Sequence, residues 1–334
     1  MNIYDVSQKA GVSIATVSRV INGNPNVSEK TKQKVLDVMK EIGYTPNVFA
    51  RGLGLNTMQT IGIMCADSSD IFLANAVYYL EQNLRKNGYD SFLCCTGYDL
   101  HTKQKYLKLL LSKRVDAVVM VGSNFLEQNK KDNSYIIEAA EKVPIMLING
   151  YINHPRIYCI LGDDHQAVFD SVNKLIAQGR RRILYLYNTR TFSSMNKFSG
   201  YKAALAANNI PLNEDLIQMC PNTVADVKNL LTSLAAKGLK YDGVIATEDL
   251  LAIGAVKFIK KAGISIPKEC SIIGYNNSIL ATCCDPELTS IDNHVEPLCV
   301  STITSLMRVL SGNEVPNRTT ISNDLFLRET TDFK

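Results

Sequence analysis

The sequence predicts two unlike parts: a small all-α helix-turn-helix head, followed by a long α/β region built on parallel sheets. Two observations carry this. In the first 45 residues apolar side chains recur at helical spacing between Gly and Pro breaks. From residue 60 onward, short apolar runs alternate with amphipathic stretches. A chain of 334 residues has room for two ordinary domains plus such a head.

The head is read first. Ile3, Val6 and Ala10 form the apolar side of a short first helix, and Gly11 makes the turn after it. Ser13 caps the second helix by accepting from a free N–H at its start. Val17, Val20 and Ile21 then face inward, while Ile14, Ala15, Ser18 and Arg19 face outward. A short, mostly uncharged face tipped with one arginine suits base edges in a major groove, where arginine bonds guanine O6 and N7. Ser28 opens a third helix with Val35, Leu36, Met39 and Ile42 at helical spacing, and Gly43 ends it. Residues 46–59 read as a hinge helix and linker: Pro46 breaks the preceding helix, Asn47 caps a new one, and Gly52 and Gly54 weaken it. Leu53 is the candidate minor-groove wedge. The candidate DNA contacts are Ser13, Ile14, Ala15, Thr16, Ser18, Arg19, Asn22, Asn47, Ala50 and Leu53.

Charge agrees with the head as the nucleic-acid partner. Residues 1–59 carry seven Lys/Arg and four acids, so +3 of the chain's formal +4 lies there. The sequence opens without an apolar leader and contains no run long enough to span a bilayer, so a cytoplasmic protein without membrane contact is expected. The nine cysteines show no C-x-x-C spacing and read as reduced thiols. The four histidines are scattered, so neither a metal site nor catalytic residues are expected, and the chain does not read as an enzyme.

In the α/β region the expected strands are Ile61–Cys65, Ser91–Cys95, Ala117–Val121, Ile145–Ile148, Ile183–Tyr187, Gly243–Thr247 and Ser271–Tyr275. Helical stretches such as Ala74–Asn87, His101–Lys113 and Gln166–Gln178 separate them at the spacing of βαβ units. So many units imply two sheets side by side. A dinucleotide-binding enzyme is the obvious rival, yet no G-x-G-x-x-G follows the first strand and no Walker-type phosphate loop occurs.

The chain resembles the lactose-repressor (LacI/GalR) family of bacterial transcription regulators. The residues that carry this are I-Y-D-V at Ile3–Val6, G-V-S-I-A-T-V-S-R-V-I-N-G at Gly11–Gly23, V-S-E-K-T at Val27–Thr31, G-Y-T-P-N at Gly43–Asn47 and A-R-G-L at Ala50–Leu53. The resemblance implies a homodimeric, allosteric regulator, most simply a repressor, on a pseudo-palindromic double-stranded operator. It also implies a two-lobed, periplasmic-binding-protein-like effector domain, with residues 60–161 and 292–319 in one lobe and 162–291 and 320–334 in the other. The effector site is then the cleft between lobes. A two-lobe binding protein without DNA function is the distant alternative.

Matched positions give the effector candidates Phe72, Leu73, Asp163, Lys197, Glu248, Asp249 and Asn277. Phe72 and Leu73 serve equally well as core packing at a helix start. Lys197 stands where the family commonly has arginine, Asn277 where aspartate is usual, and Glu248 where Asn or Thr is common. Lysine lacks the planar donor fork that suits vicinal hydroxyls. The effector expected here is therefore a sugar, a phosphosugar or another small anion, with Lys197 favouring an anion and Glu248 opposing it. No other cofactor is expected. N-G-N-P-N-V at Asn22–Val27 and K-x-x-G-Y-K at Lys197–Lys202 are similar to the catabolite control protein A branch, which implies a protein corepressor as a second possibility. Pro297 and Thr304 occupy the positions where that branch carries its charged corepressor contacts.

Overall fold

The structure, a computed structural model, describes residues 2–45 and 57–333. Three helices make the head: α1 (Ile3–Ala10), α2 (Ile14–Ile21) and α3 (Glu29–Glu41). Each start is capped by a side chain: Asn2 forms a reciprocal box with Asp5, Ser13 accepts from Thr16, and Ser28 accepts from Thr31. Gly11, with φ of 61°, makes the left-handed exit from α1 that sets α2 across it. Val6, Ala10, Val17, Val20, Val35 and Val38 form the small core. Leu36, expected inside, is 40% exposed, and Val38 packs in its place. With Val35 as the anchor, the i+3 direction points into the core and the i+1 direction points out.

Two six-stranded sheets follow. The first holds β1 (Thr60–Cys65), β2 (Asp90–Cys95), β3 (Ala117–Val121), β4 (Ile145–Ile148) and β5 (Ile157–Gly162). The second holds β6 (Ile183–Tyr187), β7 (Ile217–Met219), β8 (Gly243–Ala246), β9 (Ser271–Tyr275) and β10 (Thr289–Asp292). The chain then returns: β11 (Arg318–Ile321) pairs with β5 in the first sheet, and β12 (Asp324–Phe326) pairs antiparallel with β10 in the second. The orders are β11-β5-β4-β3-β1-β2 and β12-β10-β9-β8-β6-β7. All pairings except β10 with β12 are parallel.

The long apolar strands were legible because parallel strands covered on both faces read as continuous hydrophobic runs. Five strands were not among those expected: β7, β11 and β12 are short and carry no such signal, while β5 and β10 lie beside the boundaries between lobes.

The chain passes between the sheets after Gly162, after Asp292 and after Ile321. Asp292 thus closes a strand of the second sheet, and Thr320 and Ile321 belong to the first, one to two residues from the boundaries expected at 291/292 and 319/320. At these crossings Asn149 accepts from the Gly162 N–H at 3.1 Å, and His294 Nε2 lies 2.8 Å from Asp324 Oδ2. All nine cysteines are free thiols. No helix among the described residues is long and apolar enough to cross a membrane.

Candidate functional site

The outer face of α2 is the first candidate surface. Ser13, Ile14, Ala15 and Arg19 are exposed, while Thr16 and Ser18 are partly covered. The side chains of Ser13 and Thr16 bond each other at 2.9 Å, fixing the first turn, and Asn22 Nδ2 reaches Ser18 Oγ at 3.4 Å at the other end. Burial of Val17 and Val20 holds the opposite face of α2 on the head core, so the outward row is presented by a packed helix. Asn47, Ala50 and Leu53 lie outside the described residues.

The second candidate is a cavity of 130 Å³ between the two sheets, opening into a wider mouth of 600 Å³. From the first lobe come Asp70, Phe72, Leu73, Tyr98 and the turn Gly122–Asn124. From the second come Asp164, Ser193, Lys197, Thr247, Glu248, Tyr275 and Asn276. Most stand at the C-terminal ends of strands or the starts of the following helices, where open α/β sheets place their ligands.

Lys197 sits on the helix Phe192–Ala207 and is 6% exposed. That helix lies tightly on the helix Asp164–Ala177, since a Cβ at Gly200 would collide with the His165 carbonyl. The Lys197 ammonium donates to the Thr247 carbonyl at 3.2 Å and lies 3.5 Å from the centre of the Tyr275 ring. Tyr275 donates its hydroxyl to Asp164 and accepts from Asn323 at 2.8 Å, and Ser193 donates to Asp164 at 2.6 Å. Burial pushes the Asp164 carboxyl above its ordinary range, against the pull of Lys197, Ser193 and Tyr275.

Glu248 accepts from Asn276 at 2.6 Å, and Asn276 in turn accepts from Asn293 at 2.7 Å. Burial lifts Glu248 to about 7; Lys197 opposes this, and the charges of Asp70 and Asp249 add to it. Phe72, Leu73, Lys197 and Glu248 therefore all line the cavity, with Leu73 also buried in the first-lobe core.

Three sequence candidates have other tasks. Asp163 caps its helix by accepting from Gln166, and its neighbour Asp164 faces the cavity instead. Asp249 is 2% exposed; its two oxygens accept from Ser290 at 2.5 Å and from the Ser278 N–H and hydroxyl at 2.7 and 2.8 Å. It braces the loop after β9 and, like Asn277, lines the wider mouth. Asn277 accepts from Arg328 at 2.6 Å and donates to Asp292 at 3.1 Å, so it reaches only the wider mouth, while Asn276 faces the inner cavity. The φ of 95° at Asn276 turns the chain so that consecutive side chains take opposite roles. The expectation of an anion drawn to Lys197 also weakens here. That ammonium already faces Asp164, the Thr247 carbonyl and an aromatic ring.

Comparison with known proteins decides the family. Residues 2–47 match the bacterial regulatory proteins of the lacI family, and residues 58–329 match the periplasmic binding proteins and sugar binding domain of the LacI family. The chain belongs to the LacI family. A relative in Lachnoclostridium phytofermentans, an HTH-type transcriptional regulator, is 79% identical over 333 residues and covers 100% of both chains. Catabolite control protein A of Priestia megaterium is 31% identical over 302 residues, which is 89% of this chain and 88% of that one. The solved lac repressor dimer bound to operator and anti-inducer shares the fold at a TM-score of 0.89, with 23% identity across 99% of this chain and 98% of that one. This LacI-family protein is thus a helix-turn-helix, DNA-binding transcriptional regulator and not an enzyme.

Proposed function

We propose that this regulator is a repressor whose α2 reads a pseudo-palindromic operator through Ile14, Ala15 and Arg19, as a homodimer, under control of a carbohydrate in the interlobe cavity. One small head reads too few base pairs to be selective, so two are needed. The edge strand β2 leaves Phe92 and Leu93 43% and 46% exposed, apolar surface suited to a second copy. Binding chromosomal DNA places its work in the bacterial cytoplasm.

The observation that carries the ligand reading is the make-up of the cavity wall. Phe72 and Tyr98 contribute aromatic side chains, Asp70, Asp164 and Glu248 offer acceptors, and Asn276 and Lys197 offer donors. Such a mixture suits a polyhydroxylated ring, whose hydroxyls both give and take hydrogen bonds. Four carboxyl oxygens from Asp164 and Glu248 around one lysine disfavour a phosphate. The corepressor alternative gains little from the helix Val295–Leu310, where Pro297 and Thr304 are exposed but uncharged.

A thermal-shift screen of neutral sugars and phosphosugars, followed by operator binding with each hit, tests the reading. A sugar that stabilises the protein and changes operator affinity is expected. Stabilisation by phosphosugars alone would overturn the ligand class.

A further inference from the structure

We propose that the cavity's ligand carries a primary ammonium group, held between Asp70 of the first lobe and Glu248 of the second. This rests on the interlobe cavity being the effector site and goes further by assigning the ligand a charge.

Four charged residues line the inner cavity: Asp70, Asp164, Glu248 and Lys197. Two of them are already answered within the protein. Asp164 takes hydrogen bonds from Ser193 and Tyr275 beside the Lys197 charge, and Lys197 spends its ammonium on the Thr247 carbonyl and the Tyr275 ring. Asp70 and Glu248 line the cavity from opposite lobes, and Asp70 disfavours ionisation of Glu248, less strongly than Lys197 favours it. Asp70 uses Oδ1 to cap Leu73 at 2.9 Å, and Glu248 uses Oε2 to accept from Asn276 at 2.6 Å. Among the described residues Asp70 Oδ2 and Glu248 Oε1 accept nothing.

An independent observation lies beside them. Thr247 is 3% exposed and lines the same cavity, yet its hydroxyl has no hydrogen-bond partner. A buried hydroxyl without a partner costs about 1–3 kcal/mol, so it marks a place where a ligand atom belongs. The site therefore presents two carboxylate oxygens that only accept and one hydroxyl that can accept as well as donate. An ammonium brings three hydrogens and one positive charge, whereas a sugar hydroxyl brings a single hydrogen and leaves the two carboxylates opposed. The rings of Phe72 and Tyr98 line the same wall and favour a cation further. Among the described residues the largest charge effects on Glu248 come from Lys197, which favours its ionisation, and from Asp70 and Asp249, which oppose it. Because Asp70 and Glu248 belong to different lobes, a cation between them relieves their repulsion most when the lobes close. This gives the ligand the differential affinity that a switch requires.

The test is calorimetric titration of the full-length chain at neutral pH with glucosamine, galactosamine and mannosamine, each beside glucose, galactose and mannose. At least one amine should bind about tenfold or more tightly than its neutral parent. Glu248→Gln should erase that preference, and Asp70→Asn, which keeps the helix cap, should reduce it. Circular dichroism and retained operator binding confirm that each variant folds, and either variant alone suffices. Neutral sugars that bind as well as or better than their amines would overturn the ammonium while leaving the carbohydrate cleft intact. If none of the six binds or alters operator affinity, both readings fail together.

Discussion

The ammonium of Lys197 lies 3.5 Å from the centre of the Tyr275 ring. Lysine and tyrosine come from different elements, a helix and the end of β9, and the hydroxyl of the same tyrosine bonds Asp164 at the start of a third. The wall of the second lobe is thus one connected polar unit. Its position depends on the close approach of two helices, and the cavity inherits its shape from that packing.

Gly200 provides the most direct test of that dependence. A methyl group there meets the His165 backbone, which belongs to a helix and cannot swing aside as a side chain would. Gly200→Ala should destabilise the protein by roughly 1–3 kcal/mol and weaken cleft binding by displacing Lys197. Denaturant unfolding and ligand titration together check this. A variant as stable as the parent would show that the two helices are free to separate.

Glu248 makes stability depend on pH with a defined sign. Its carboxyl titrates at about 7 in the folded protein, against an ordinary value of 4.5. Between these values the folded state holds a proton that the unfolded chain has released, so stability falls as pH rises through this window and levels off above it. Asp164 and Asp249 are shifted in the same direction. Glu248→Gln should therefore stabilise the protein by about 1 kcal/mol near pH 8, a value discounted because the side chain is partly exposed. It should have little effect near pH 4. Melting temperatures of both proteins across this range check it; a constant difference at every pH would point to packing instead.

Arg19 should set operator preference. It is exposed at the end of a helix whose opposite face is locked by Val17 and Val20. Arg19→Ala should cost about 1–3 kcal/mol on operator and relax the preference at one base pair. Binding assays against single-base operator variants measure this. Equal weakening on operator and unrelated DNA would make Arg19 a phosphate contact.

The sequence disclosed the head, the strand-helix alternation and four residues of the cavity wall: Phe72, Leu73, Lys197 and Glu248. Caps such as Ser13 and Ser28, and core runs such as Ala117–Val121, are local signals that a linear reading finds. What it missed turns on single-residue geometry. Asp164 was passed over for Asp163 and Asn276 for Asn277, because which of two adjacent side chains faces the cleft depends on cap geometry or on a positive φ. Tyr275 reads as the last apolar residue of a strand, and only the fold brings its hydroxyl to Asp164, 111 positions away in the chain. Leu36 and Val38 show the same limit in the head, where helical spacing offered two phases and packing selected one.

The central claim is that occupancy of the cavity lined by Lys197, Glu248 and Asn276 changes how tightly the head binds DNA. Operator affinity, measured by fluorescence anisotropy with and without a saturating cleft ligand in the parent and in Lys197→Ala, tests it most directly. The account predicts a change of about tenfold or more in the parent, equivalent to about 1.4 kcal/mol of coupling. It also predicts that this change is largely lost in the variant, with ligand-free operator affinity kept. A ligand that demonstrably fills the cavity yet leaves operator affinity unchanged in the parent would contradict it.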